Sequence, residues 1–303
     1  MTQASPPGTP ASDAPLSARG VHLGYPGRTV VEDLDLNVLR GEFTVIVGPN
    51  ACGKSTVLRA LGRLLQPSHG QVLLQGREIA RYGTKEVARQ VGLLPQSPVT
   101  PDAISVADLV ARGRYPHQRL LRQWSPQDAE AVEGALAEVG MLPEADRMVD
   151  ELSGGQRQRV WIAMSLAQQT SVMLLDEPTT YLDVAHQLDV LDLCSRLHEQ
   201  GRTLVAVLHD LNLAARYATR IVLMSQGEIL AEGTAEEVLT PALLERAFSL
   251  TARVIPDPET GRPLVVPVDR RRTAPAGGRT EAAGAGRVGT EAAGVGTEAG
   301  SGQ

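Results

Sequence analysis

The sequence predicts an α/β fold carrying a helical insertion. Three observations point there: strand-like and helix-like segments alternate along most of the chain, a glycine-rich loop joins a short apolar run to a helix, and from about Ser97 to Ala167 the pattern is helix after helix. The 303 residues suffice for one large or two small domains with a core that needs no staples.

Residues 1–15, rich in Pro, Ser, Thr and Ala, read as a disordered lead. "VVEDLDLNV" then alternates apolar and polar residues as a half-buried strand does, and "FTVIVG" is an apolar run ending in glycine, the mark of a buried parallel strand. "KSTVLRALGRLL" has helical period; "HGQVLLQG" and "VGLLPQ" are further strands. In "SPQDAEAVEGALAEVG", Ser125 can cap, Pro126 suits the first helical position, and Ala129, Val132, Leu136 and Val139 are expected to share a face. Strands return in "SVMLLD" and "RTLVAVLHD", and "RIVLMSQGEILAEG" reads as a hairpin around Gln226-Gly227. "RVIPDPETGRPLVVP" reads as a second small hairpin turning near Glu259-Thr260-Gly261. Nine of the thirty glycines fall in the last 27 residues, among unequally spaced "TEAAG"-like pieces, which is the composition of a flexible tail.

Composition narrows the function. No apolar run is long enough to cross a bilayer, and the N-terminus lacks the charged start and apolar segment of a secretory signal, so a cytoplasmic location is expected. Cys52 and Cys194 make no disulfide framework, and six histidines and two cysteines show no metal-ligand spacing. A net charge of −6 argues against a nucleic-acid partner.

"GPNACGKST" fits G-x-x-x-x-G-K-[ST] between a strand and a helix, the context that motif requires. Gly48 and Gly53 let the loop wrap, with Pro49, Asn50, Ala51, Cys52 and Thr56 completing it; Lys54 reaches the β- and γ-phosphates and Ser55 can ligate Mg²⁺. Cys52 invites a redox reading, but a small tolerated side chain is the simpler one. "SVMLLDEPTT" delivers Asp176 and Glu177 at the carboxyl end of a strand, where ligands of open α/β sheets sit. Asp176 is placed to hold Mg²⁺ indirectly and Glu177 to polarise an attacking water. Gln96 and His209 also end apolar strands; a glutamine oxygen can complete an Mg²⁺ shell and a histidine can hydrogen-bond a γ-phosphate. Tyr25, at a turn, can stack on a base. A second anion site is marked by "LSGGQRQRVWIAMSL", where a serine and two glycines lead into a helix N-terminus.

Phosphate loop, strand-end glutamine, "LSGGQRQR", "LLDEP", a nearby "LD" and a strand-end histidine, in this order over residues 16–245, resemble the ATPase subunit of an ATP-binding-cassette (ABC) protein. The resemblance implies a P-loop NTPase (RecA-like) core with an antiparallel β subdomain and an α-helical subdomain inserted at about 97–167, followed by a hairpin extension at 246–268 and a tail at 269–303. It implies ATP and Mg²⁺ as ligands and two copies packed head to tail, so that Ser153, Gly154, Gly155 and Gln156 contact the nucleotide held by the partner. Further roles follow from it: Tyr25 stacks on adenine, Gln96 completes the Mg²⁺ shell, Glu177 is the base, Asp183 communicates across the dimer and His209 is the γ-phosphate switch. Ala51 departs from the glycine, and Tyr181 from the alanine, found in many members.

"LLPQSPVTPDAISVADLVARGRYPHQ", "DEPTTYLDVAHQLDVLDL" and the last hairpin are similar to ATPase subunits of bacterial iron–siderophore importers; vitamin B12 and haem importers are close alternatives, and the soluble iron–sulfur-cluster assembly ATPase is another. Transmembrane permease subunits, and indirectly a substrate-binding protein, are the implied partners, at the cytoplasmic face of the membrane. Arg112, Arg114, Arg119 and Arg122, beside Tyr115, His117 and Trp124, read either as a surface for a permease helix or acidic headgroups, or as a solvated basic helix–loop. Arg270 to Arg272 read as the solvated start of the tail.

Overall fold

The structure, a computed structural model, describes residues 14–118 and 124–269. Residues 1–13 of the expected lead, residues 270–303 of the expected tail with Arg270 to Arg272 among them, and Arg119 and Arg122 lie outside the described residues. Strand β1 (Leu16–Tyr25) turns through Gly27 into β2 (Arg28–Val38), and β3 (Phe43–Val47) leads to helix α1 (Lys54–Leu61). Then come β4 (His69–Leu74), β5 (Arg77–Glu78), α2 (Thr84–Ala88) and β6 (Val91–Leu94). The helices α3 (Val106–Ala111), α4 (Pro126–Glu138) and α5 (Gly154–Ala167) follow without an intervening strand. The chain returns through β7 (Val172–Asp176), α6 (Val184–Glu199), β8 (Thr203–Val207), α7 (Leu211–Tyr217), β9 (Arg220–Ser225) and β10 (Glu228–Gly233). It continues through α8 (Ala235–Val238) and α9 (Pro241–Phe248) into the hairpin of β11 (Ala252–Pro256) and β12 (Pro263–Pro267).

One sheet runs β2-β1-β4-β5, all antiparallel; a larger one runs β10-β9-β3-β8-β7-β6, parallel except for β10 at its edge. Strands β3, β7 and β8 are buried on both faces, which explains their unbroken apolar runs. Their alternate residues feed two different cores. Met173, Leu175, Leu204 and Ala206 pack with the helices of the insertion, α6 and α7, whereas Val172, Leu174, Val205 and Val207 pack with α1 and the antiparallel sheet. Val57, Leu58 and Leu61 of α1 lie in that second core, each worth roughly 1.5–3 kcal/mol of burial. The phosphate loop is therefore held between two packed layers.

In α4 the sequence reading holds at the start and slips by one residue on its face. Ser125 caps the helix, accepting from Asp128 N while Asp128 accepts from Ser125 N, with Pro126 at the first position. The buried face is Asp128, Ala131, Val132, Ala135, Leu136 and Val139, while Ala129 is exposed. Asp128 faces inward because Arg114 meets it there.

That pair corrects the expectation of a surface role for Arg114. Arg114 is 4% exposed; it donates to Asp128 at 2.8 Å, to Ala167 O at 2.7 Å and to Gln169 Oε1 at 2.8 Å, tying α3, α4 and the end of α5 together. Burial alone would raise the Asp128 carboxyl, but donation from Ser125 and Arg114 outweighs it and holds the group below the usual range. His117 is also turned to the structure, with Nε2 at 2.9 Å from Gln168 O. Tyr115 and Trp124 do remain exposed, and with Arg112 they line a groove of about 550 Å³.

Candidate functional site

Gly48 ends β3 at a point where a Cβ would sit 2.2 Å from Met224 O, so only glycine lets the loop turn against β9. The loop enters α1 through Gly53, and no side chain caps that N-terminus and no acid lies in its first turn. Its amides are thus left for an external acceptor of negative charge. Lys54 is 4% exposed, with Nζ donating to Gly48 O at 2.9 Å and Pro49 O at 2.8 Å. Two of its three protons are held by the loop and one is left. Cys52 is buried, and burial pushes its thiol up, which favours the plain packing reading over a redox one.

From across the sheet, β7 delivers Asp176, whose Oδ1 accepts from Ser55 Oγ at 2.7 Å. Burial raises the Asp176 carboxyl, against the opposing donation from Ser55 and the charges of Arg59 and Lys54. A buried carboxylate beside a hydroxyl, with a raised pKa, is a donor set that a hard divalent cation would relieve.

Glu177 follows with φ 53°, a left-handed conformation uncommon for a side chain with a Cβ and recurrent at functional sites. Its side chain is 10% exposed and fixed from three directions. His209 Nε2 lies 2.7 Å from Oε1, while Gln96 Nε2 and Thr180 Oγ1 donate to Oε2, the latter at 3.0 Å. Of about four lone-pair positions on a carboxylate, three are used and one remains for a further donor such as water.

These groups open on one cleft of about 450 Å³ lined by Tyr25, Arg28, Val30, Asn50, Ala51, Gly53, Lys54, Ser55, Thr56, Gln96, Glu177 and His209. Most of the residues that the sequence singled out around the phosphate loop are therefore gathered here, with Asp176 reached through Ser55. Gly48, Pro49 and Cys52 shape the loop from behind. Sequence reasoning passed over Arg28, Val30 and Thr180. Thr180 had a weak signal, standing three residues after Glu177; Arg28 enters only because the β1–β2 turn pairs it with Tyr25.

Ser153, Gly154, Gly155, Gln156 and Asp183 do not line this cleft. The first four stand together at the start of α5, and Asp183 stands apart at the start of α6. Ser153 Oγ accepts from Gln156 N at 3.2 Å and Gln156 Oε1 accepts from Ser153 N at 3.0 Å, a reciprocal cap. Asp183 caps α6, accepting from His186 N at 2.9 Å and lying 2.6 Å from His186 Nδ1; these bonds hold its carboxyl below the usual range. His186, which sequence reasoning missed, lies flat against Gly155: a Cβ there would meet its Cδ2 at 2.2 Å. A side chain at position 155 would therefore displace His186, whatever α5 meets outside the chain.

A profile of the ABC transporter family matches residues 31–180. The chain is 53% identical over 265 residues to the ferric enterobactin transport ATP-binding protein FepC of Escherichia coli (strain K12), spanning 87% of this chain and 97% of that one. Among solved structures, a metal-chelate type ABC transporter in an inward-facing conformation superposes with a TM-score of 0.74 at 28% identity, over 86% of this chain and 99% of the other. A dimeric bacterial ABC transporter cassette superposes with a TM-score of 0.64 at 27% identity, over 73% and 98%.

Proposed function

The chain belongs to the ABC transporter family as an ATPase subunit, and on that premise we propose that it powers an importer of iron–siderophore complexes. The observation that carries the cargo reading is the 53% identity to a ferric enterobactin transport subunit over nearly the whole of both chains. Haem and vitamin B12 importers, and a soluble cluster-assembly role, are less favoured on that ground. Among the described residues no helix is long and apolar enough to cross a membrane. The chain then works at the cytoplasmic face of the membrane, bound to permease subunits, with the exposed groove at Arg112, Tyr115 and Trp124 as one surface for them and a binding protein supplying cargo from outside.

In this reading ATP lies in the cleft with its adenine on Tyr25 and its phosphates along the uncapped start of α1. Lys54 exchanges its two loop carbonyls for β- and γ-phosphate oxygens. Ser55, Gln96 and Asp176 would hold Mg²⁺, which supplies charge neutralisation to the phosphates when bound. Glu177 accepts the proton of the attacking water at its remaining lone pair. His209, when it turns from Glu177 to a γ-phosphate oxygen, frees a second acceptor position on that carboxylate. The start of α5, where Ser153 and Gly154 are exposed and Gly155 and Gln156 lie behind them, caps the ATP of a second copy, and Asp183 faces that copy across the interface.

The test is to isolate the tagged protein from mildly solubilised native membranes and to follow ferric-siderophore uptake in a strain lacking it. A polytopic permease should travel with it, and uptake should return with the wild-type chain but not with Glu177→Gln. A purely soluble set of cluster-assembly proteins, with uptake intact in the deletion strain, would overturn the proposal.

A further inference from the structure

We propose that the β11–β12 hairpin is a clamp on the helix that follows His209, and that Asn212 and Arg262 are positioning residues for ATP hydrolysis. The inference rests on the reading of His209 given above.

Helix α7 has seven residues, about two turns, too few to hold its own place. It begins right after His209: Asp210 caps it, its Oδ1 accepting from Asn212 N at 2.7 Å and Leu213 N at 3.0 Å. The hairpin grips both ends of this helix. At the first turn the Asn212 amide pairs with β12 as another strand would, Oδ1 accepting from Val265 N at 2.7 Å and Nδ2 donating to Val265 O at 3.3 Å. At the last turn Arg262 Nη1 donates to Ala218 O at 2.8 Å and Ala215 O at 3.2 Å, carbonyls that a helix end otherwise leaves open. Between these grips Ala214, Ala215 and Ala218 are buried in the same core as Val265.

The hairpin turn is organised so as to aim Arg262. Asp257 Oδ1 accepts from Glu259 N at 2.8 Å and Thr260 N at 3.2 Å, Asp257 N donates to Arg262 O at 2.7 Å, and Gly261 takes φ 71°. Arg216 on α7 also approaches Asp257 at 3.9 Å. On its other side α7 is tied to α6, with Tyr217 Oη donating to Asp192 at 2.7 Å. His209 itself has little of its own to hold it: its side chain is 45% exposed and reaches only Glu177 among the described residues. Its direction is set by the end of β8 on one side and by α7, held by the hairpin, on the other. Where a displacement of about 1 Å at a reacting group can lower the rate by up to a hundredfold, such a clamp bears on turnover.

The experiment compares Asn212→Ala, Arg262→Ala, Arg262→Lys and a control on the exposed hairpin face, Arg253→Ala, in the full chain with its permease. Steady-state kinetics and histidine-ring NMR are recorded, the His209 signal being assigned by its loss in His209→Ala. The expected result is a fall in kcat of about three- to thirty-fold for Asn212→Ala and Arg262→Ala with KM for ATP within twofold, partial recovery in Arg262→Lys, and a shifted His209 signal in both alanine variants. The control should match wild type. Unchanged kcat, a loss confined to KM, or a His209 signal that stays in place in folded variants would overturn the clamp. Full activity in His209→Ala would instead overturn the reading of His209 on which it stands.

Discussion

Around the phosphate loop, polar side chains reach across the fold to one another, whereas at the start of α5 they bond only to near neighbours in the chain. Ser55 finds Asp176 from 121 positions away, and Gln96 finds Glu177 from 81. Ser153 and Gln156 are three positions apart, as are Asp183 and His186. The first group is therefore a product of tertiary folding: it exists only when β3, β6, β7 and β8 are laid side by side, and its members hold each other in place before any ligand arrives. The second is a set of local caps, which leaves Ser153 and Gly154 exposed while Gly155 is buried. One group carries the residues proposed as catalysts, and a cleft. The other carries helix-end donors. In the proposed dimer the second group of one copy would complete the cleft of the other.

The two groups separate most cleanly when each is disabled on a different chain. Lys54→Ala and Ser153→Arg should each lower ATPase activity of the pure protein by about 10²–10³-fold, the scale of losing a key donor to a developing charge. The Ser153 variant should still bind ATP, because its own cleft is untouched. Mixed in equal amounts, the two should regain roughly a quarter of wild-type activity, since half of the dimers are mixed and each of those has one complete site. No recovery on mixing would mean that α5 acts on its own chain's nucleotide.

A second prediction turns on the opposite electrostatics of two aspartates, one from each group. Burial raises Asp176, so the folded chain keeps its proton where the unfolded chain has lost it; stability contributed by this group falls as pH rises through that window. Asp176→Asn should therefore raise the Tm of the nucleotide-free protein at neutral pH, on the order of a few degrees, while abolishing hydrolysis. The gain should vanish as pH falls below the ordinary carboxylate range. Asp183 is lowered by its bonds to His186, so its contribution has the other sign: present above the ordinary value and lost as pH falls. Asp183→Asn should give no gain in Tm at any pH. A stabilised Asp183→Asn, or an unaltered Asp176→Asn, would remove the electrostatic contrast.

The same contrast governs what was legible in the sequence. The start of α5 was read off a serine and two glycines, a signal contained in one stretch of chain, and the Ser153–Gln156 cap found there is a spacing of three. Buried strands were legible because burial on two faces leaves an unbroken apolar run, as in β3, β7 and β8. That Gln96 and His209 share one carboxylate was not legible from spacing, since only strand order brings them together. Nor was the inward turn of Arg114: an arginine among arginines reads as surface until Asp128, on a different helix, is seen to meet it. His186 was passed over for the same reason, its neighbour Gly155 being 31 positions upstream across a helix and a strand.

The smallest expected effect concerns strain, and it is confined to the phosphate-loop group. Ala51 has φ 61° and is exposed at the cleft, so its methyl packs against little while its backbone sits where a Cβ costs about 1–2 kcal/mol. Ala51→Gly removes that strain but frees the unfolded chain by about 0.4–1 kcal/mol, leaving a net gain of roughly 0.5–1 kcal/mol, or about 2–4 °C in Tm at most. ATP affinity, measured by titration, should stay within about twofold, because the loop amides keep their directions. If instead the glycine variant loses stability and affinity together, the alanine is an organiser of the loop and not a tolerated strain, and the left-handed turn at this position is fixed by the surrounding fold as firmly as that of Glu177. Ser153, at φ −64°, stores nothing comparable. At the reaction centre, then, left-handed backbone at Ala51 and Glu177 is held by tertiary packing, whereas the Ser153–Gln156 cap itself closes through bonds three residues apart.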